Sequence, residues 1–269
     1  MRLAGWILGL CLLASAAGAQ GTGLRMLGTA DESRAWAGVG RINLPGGGFC
    51  TGALISERLV LTAAHCLYNP DTGGLQDITQ MEFRAGWRDG QARAYRGIHQ
   101  AFAHPDYAPG GDLIGAIPND VALLELDQPI RNGQIIPLET RARVMTGSQV
   151  SVVSYARDRE DRPAMQEVCY VIGQEDGLFI LSCEVDFGAS GAPVFMTVNG
   201  VPRIVSVVSA KAMIDDSKVS LGADITSPLV DLVALAAQSD GVFHRPATEV
   251  TQLSRAGAAN QTGAKFLRP

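Results

Sequence analysis

Apolar residues along this chain fall in short runs, most of them set apart by stretches that contain glycine, proline, asparagine or aspartate. The first set of runs is Val39–Leu44, Phe49–Ile55, Leu59–Thr62, Met81–Gly86, Ala94–Ala101 and Val121–Leu126. The second is Gln149–Tyr155, Glu167–Ile172, Leu178–Cys183, Pro193–Val198, Arg203–Val208 and Val219–Ile225. Runs of this length at near-regular spacing predict an all-β chain built from closed or nearly closed antiparallel sheets. One helix is predicted, Pro228–Gln238, where proline starts the first turn and Leu229, Leu232, Val233 and Ala236 form a stripe. Residues 127–146 lack a strand pattern and read as the connection between the two halves. Residues 239–269 are polar and rich in alanine and glycine, and read as a loosely held tail.

The first twenty residues, MRLAGWILGLCLLASAAGAQ, follow a different rule. One basic residue, an apolar run and the small-residue site Ala17-Gly18-Ala19 predict a signal peptide over residues 1–19, cleaved after Ala19. The run from Leu3 to Ala17 is short for a membrane span, and no later run is long enough. Cys11 lies inside the run rather than after it, which argues against a lipoprotein box. The expected product is secreted or periplasmic, without a membrane anchor.

Composition supports a folded domain: of 269 residues, 46% are hydrophobic and 18% charged. A net charge of −5 and the absence of a dense Lys/Arg run argue against nucleic acid as a partner. Beyond the leader stand Cys50, Cys66, Cys169 and Cys183. An even count in an exported chain suggests two disulfides, with three possible connectivities. CYVIGQEDGLFILSC reads as a hairpin centred on Asp176, which would set Cys169 against Cys183 and leave Cys50 for Cys66. A zinc site is the rival, but no Cys-x-x-Cys spacing occurs, so no metal and no cofactor are expected.

Three stretches carry possible chemistry. LVLTAAHC (59–66) runs an apolar strand into His65, beside a cysteine able to tether the turn. NDVALLEL (119–126) puts Asp120 ahead of an alternating strand, where a carboxylate could orient an imidazole. FGASGAPVF (187–195) sets Ser190 after Gly188, a residue whose backbone freedom lets N–H groups converge on an oxyanion. Each alone has an ordinary reading: a structural histidine, a turn aspartate, a serine in a loop. The order His, Asp, Ser in an exported, disulfide-containing chain of two β-rich halves favours a catalytic triad.

On these motifs the chain resembles the trypsin-like, chymotrypsin-fold serine peptidases. CTGALISERLVLTAAHC is similar to that family's histidine-loop signature, and the other two stretches to its aspartate and serine motifs. The likeness covers roughly residues 35 to 238. It implies two antiparallel six-stranded β-barrels, residues 35–128 carrying His65 and Asp120, and residues 140–238 carrying Ser190 and a C-terminal helix. The implied roles are Ser190 as nucleophile, His65 as base then acid, Asp120 as its orienter, and the N–H groups of Gly188 and Ser190 as oxyanion hole. The implied partners are protein or peptide substrates, acted on by a monomer. By resemblance the substrate pocket is walled by Glu184 to Phe187, by Ser206, Val207 and Val208, and by Gly222 to Asp224. Glu184 there would favour a basic side chain, and Ser206 would support Asp120. His99, His104 and His244 are expected to be surface or structural.

Two departures stand out. Ala189 replaces the aspartate that, in the animal digestive enzymes, pairs with a newly cut N-terminus. Arg25-Met26-Leu27-Gly28 replaces the usual activation sequence. Activation by N-terminal insertion is therefore not expected, and the serine motif is closer to secreted glutamyl endopeptidases, although IVSVVSA lacks their pocket histidine. A catalytically silent domain used for binding is the main alternative. An α/β-hydrolase esterase fits poorly, since its motifs run Ser, acid, His.

Overall fold

The computed structural model describes residues 22–214 and 216–239, with the backbone of 265–266. The proposed leader, His244 and most of the proposed tail lie outside the described residues. A two-residue strand, β1 (Arg25–Met26), precedes the first barrel. That barrel comprises β2 (Val39–Asn43), β3 (Phe49–Leu54), β4 (Leu59–Thr62), β5 (Glu82–Ala85), β6 (Ala94–Ala103) and β7 (Ala122–Leu126), closed in the order β2-β3-β4-β7-β6-β5. A single helical turn, α1 (Leu113–Ala116), and a short strand, β8 (Glu139–Thr140), follow β6 and β7 respectively.

The second barrel comprises β9 (Gln149–Ser154), β10 (Ala164–Glu175), β11 (Leu178–Leu181), β12 (Pro193–Val198), β13 (Val201–Ile214) and β14 (Ser217–Asp224). It runs β10-β11-β14-β13-β12-β9, and the pairing of β10 with β9 closes the ring. β1 adds to the free side of β10, while β8 and β15 (Lys265–Phe266) pair with β13. All barrel pairings are antiparallel.

Local chemistry explains these elements. Asp176 and Gly177, both at positive φ (41° and 86°), make the two-residue turn between β10 and β11. Two such residues match the right-handed twist of a hairpin. The register pairing Val171 with Leu181 continues outward to set Cys169 against Cys183, and these are bridged, as are Cys50 and Cys66. The one grouping among the described residues with zinc-type donors, Cys50, Cys66 and His65, is unsuited to zinc for a chemical reason. Sγ of Cys50 and Cys66 and a ring nitrogen of His65 lie within 4.8 Å of one another, but both sulfurs are spent in the bridge.

The closing helix α2 (Pro228–Ser239) buries Leu229, Leu232 and Ala236 and packs on β6 and β7 of the first barrel. Val233, expected in the stripe, is instead 41% exposed, because the buried face is a narrow one. The connection after β7 holds β8, whose pairing with β13 is parallel and so leaves no hairpin signal to read. Among the described residues no helix is long and apolar enough to cross a membrane.

Candidate active site

His65 sits in a 3-10 turn (Ala64–Leu67) directly after β4, and Asp120 sits just before β7. β4 and β7 are neighbours, with Thr62 opposite Ala122, so the barrel brings the two residues together. Asp120 Oδ1 accepts from the His65 backbone N–H (2.8 Å), and Oδ2 lies 2.7 Å from Nδ1 of the ring. The carboxylate is buried, while the ring keeps a third of its surface exposed. Burial alone would lower the His65 pKa, but the charge and hydrogen bond of Asp120 outweigh it and hold the pKa above the ordinary histidine value.

Asp120 has a third partner that the sequence reading misplaced. Ser206 is fully buried and its hydroxyl meets no partner among the described residues, so it does not support Asp120. Ser209 does, donating its hydroxyl to Asp120 Oδ2. The cause is a β-bulge: Val208 pairs with Gly222 but Ala210 with Leu221, leaving Ser209 as the extra residue. A bulge re-aims a side chain out of the strand's alternation, which a sequence pattern cannot register. The one available signal is the second serine in SVVS.

Ser190 lies in the loop before β12, and its peptides are pinned one by one. The Phe187 carbonyl accepts from Arg157 N–H (2.8 Å), and the Ala189 carbonyl from Ala192 N–H (2.9 Å). The Ser190 carbonyl accepts from Thr51 N–H (2.8 Å), and Gly191 N–H donates to the Val208 carbonyl (2.8 Å). Among the described residues, the N–H groups of Gly188 and Ser190 meet no acceptor, and the Ser190 hydroxyl makes no hydrogen bond. Gly188 has φ 96°, and a Cβ there would stand 2.3 Å from the Phe49 ring, so no other residue fits.

Two routes, each combining covalent and hydrogen bonds, tie this loop to the His65–Asp120 pair. Thr51, which holds Ser190, follows Cys50, whose bridge reaches Cys66 beside His65. Val208, which holds Gly191, precedes Ser209, which holds Asp120. The site thus draws on β3, the turn after β4 and the start of β7 in the first barrel, and on the β12 loop and β13 in the second.

The pocket expectations need revision. Ser206, Val207 and Val208 are buried in the barrels and offer a substrate no surface. The next residues along this strand, Ser209, Ala210 and Lys211, at and beyond the bulge, are partly exposed. Gly222 to Asp224 pair with Ser206 to Val208 as part of β14. Glu184 is exposed, while Lys211 Nζ lies 2.8 Å from Asp186 and 3.6 Å above the Phe187 ring. His99 is exposed and His104 buried against α2, its Nε2 3.8 Å from Asp231.

Two barrels with a carboxylate-oriented histidine and a serine loop carrying two free N–H groups define the chymotrypsin-like class. Residues 28–179, more than half the chain, match the family model described as Trypsin, and the chain belongs to the trypsin family. That match includes His65 and Asp120 and stops short of Ser190. Trypsin of Phaedon cochleariae is 35% identical over 89 residues, covering 33% of this chain and 31% of that protein. Serine protease 23 of Mus musculus is 27% identical over 192 residues, covering 62% of this chain and 49% of that protein. The chain spans less than half the length of these relatives. A solved Glu endopeptidase in complex with MPD shares the fold, at TM-score 0.65 and 20% identity, over 81% of this chain and 97% of that one.

Proposed function

We propose that the chain is an exported serine endopeptidase working through Ser190, His65 and Asp120. His65 Nε2 takes the Ser190 proton as Oγ attacks the scissile carbonyl, and Asp120 stabilises the imidazolium that forms. The developing oxyanion is received by the N–H groups of Gly188 and Ser190, an interaction worth roughly 3 kcal/mol per donor. The tetrahedral intermediate collapses as His65 gives its proton to the leaving amine, and water, activated by the same histidine, releases the acyl group. The observation carrying this reading is selective: among the described residues, the carbonyls of Asp186 to Ser190 are each held, while the N–H groups of Gly188 and Ser190 meet no acceptor.

Activation without N-terminal insertion fits the arrangement of residues 22–29. Thr22 N–H donates to the Val168 carbonyl (2.8 Å), Arg25 pairs with Met165 across β1 and β10, and Leu27 is buried. Arg88 donates to the carbonyls of Leu27 (2.6 Å) and Gly28. Ala189 packs in an apolar cluster and offers no carboxylate for an ammonium. The substrates are proteins or peptides, bound beside Phe187 and the exposed edge Ser209 to Lys211.

Labelling of the purified protein by a fluorophosphonate, with Ser190→Ala as control, tests the reading. Adduct on the wild type alone supports it. A folded wild type that stays unlabelled points to a binding domain.

A further inference from the structure

An oxyanion loop must be held against flipping, and Ala189 cannot contribute the ion pair expected of an aspartate. We propose that the hydroxyl of Thr51 does this work, as a positioning residue acting on Gly188. The proposal rests on the serine-peptidase reading above.

Thr51 lies on β3 and is fully buried. Its Oγ1 accepts from Tyr155 N–H (3.1 Å), so its one proton is free for an acceptor. The nearest is the Gly188 carbonyl at 2.8 Å, with the Tyr155 carbonyl farther away at 3.4 Å. The other side of the same Gly188–Ala189 peptide donates from Ala189 N–H to the Asp186 carbonyl (2.9 Å). This peptide is thus gripped at both ends. Glycine at positive φ gives the backbone little resistance to rotation of its own, so the grip must come from outside. The Gly188 N–H belongs to the preceding peptide, whose Phe187 carbonyl Arg157 N–H holds, so fixing the Gly188–Ala189 peptide anchors the other side of the Cα about which that N–H could swing.

The brace itself is rigid. Thr51 N–H also holds the Ser190 carbonyl (2.8 Å), so one residue fixes both sides of Ala189. Tyr155, which donates to the hydroxyl, is fully buried, and its phenol donates to the Trp87 carbonyl (2.8 Å). A hydrogen bond in such a dry setting is stronger than one facing water. Backbone contact through Thr51 N–H is open to any residue other than proline; the contact to Gly188 needs a hydroxyl on a short side chain.

Thr51→Val keeps the shape and removes the hydroxyl, and Thr51→Ser returns it. Fluorophosphonate inactivation of the full chain separates binding (KI) from phosphonylation (kinact). The expected result is a fall of kinact by about tenfold or more in Thr51→Val, with KI within twofold of wild type, and recovery of most of the loss in Thr51→Ser. Thr51→Ala makes the same comparison should the valine variant fail to fold. Equal kinact in wild type and the hydroxyl-free variants overturns the proposal, as does a loss that Thr51→Ser shares in full. An unlabelled wild type sinks the peptidase reading first, and the Thr51 role with it.

Discussion

Asp120 holds His65 at two points, its Oδ1 on the backbone N–H and its Oδ2 on the ring Nδ1. One contact fixes where the residue starts and the other which way the ring faces. Nε2 is thereby left as the ring nitrogen that Asp120 does not engage. Asp120→Asn keeps the size but presents an amide where the carboxylate stood. Its kcat/KM on a peptide selected from a library digest is expected to fall by about 10⁴-fold, the scale seen when this role is removed from such triads.

The same pair sets the pH response. Asp120 holds the His65 pKa above its ordinary value, so the imidazolium persists to higher pH and the neutral base appears later. The acid limb of kcat/KM is therefore expected above about pH 6.5. In Asp120→Asn, burial acts on the ring without the opposing charge, and the residual activity is expected to show that limb at lower pH. A pH profile of both proteins checks the sign.

Ser209 and Ser206 make a sharp contrast on one strand. Ser209→Ala takes a donor from Asp120 and is expected to lower kcat/KM by roughly tenfold. Ser206→Ala removes a buried hydroxyl that meets no partner among the described residues and is expected to leave kcat/KM unchanged and stability equal or slightly higher. Steady-state kinetics and urea unfolding of both variants distinguish this from the reverse order, which the sequence pattern suggests.

His104 gives a stability prediction of opposite sign to His65. Burial lowers its pKa, against the pull of Asp106 and Asp231. The fold therefore favours the neutral ring. Its contribution is present above the unfolded value, about 6.5, and is lost as pH falls below it. His104→Gln is expected to flatten the decline of the urea midpoint between about pH 6.5 and 5.

Much of this architecture is legible in the sequence because it is local. Strand cores such as Leu59–Thr62 and Pro193–Val198 coincide with their apolar runs, and the turn at Asp176 declares the hairpin that its disulfide closes. His65, Asp120 and Ser190 stand in motifs that sit at strand ends, where a barrel can gather them. What stays hidden depends on partners far along the chain. β1 exists because β10 has a free edge, and β8 because β13 does. The bulge at Ser209 moves the exposed edge past the three buried residues that a regular strand would have placed there. Thr51 is one residue of a strand until the serine loop lies against it.

The most direct test of the whole account is mass analysis after fluorophosphonate treatment of the folded, disulfide-intact chain. A single phosphonyl adduct is expected, mapped to Ser190, absent in Ser190→Ala and forming far more slowly in His65→Ala. A folded protein with both bridges intact that takes no adduct, or takes it at another residue, would contradict it.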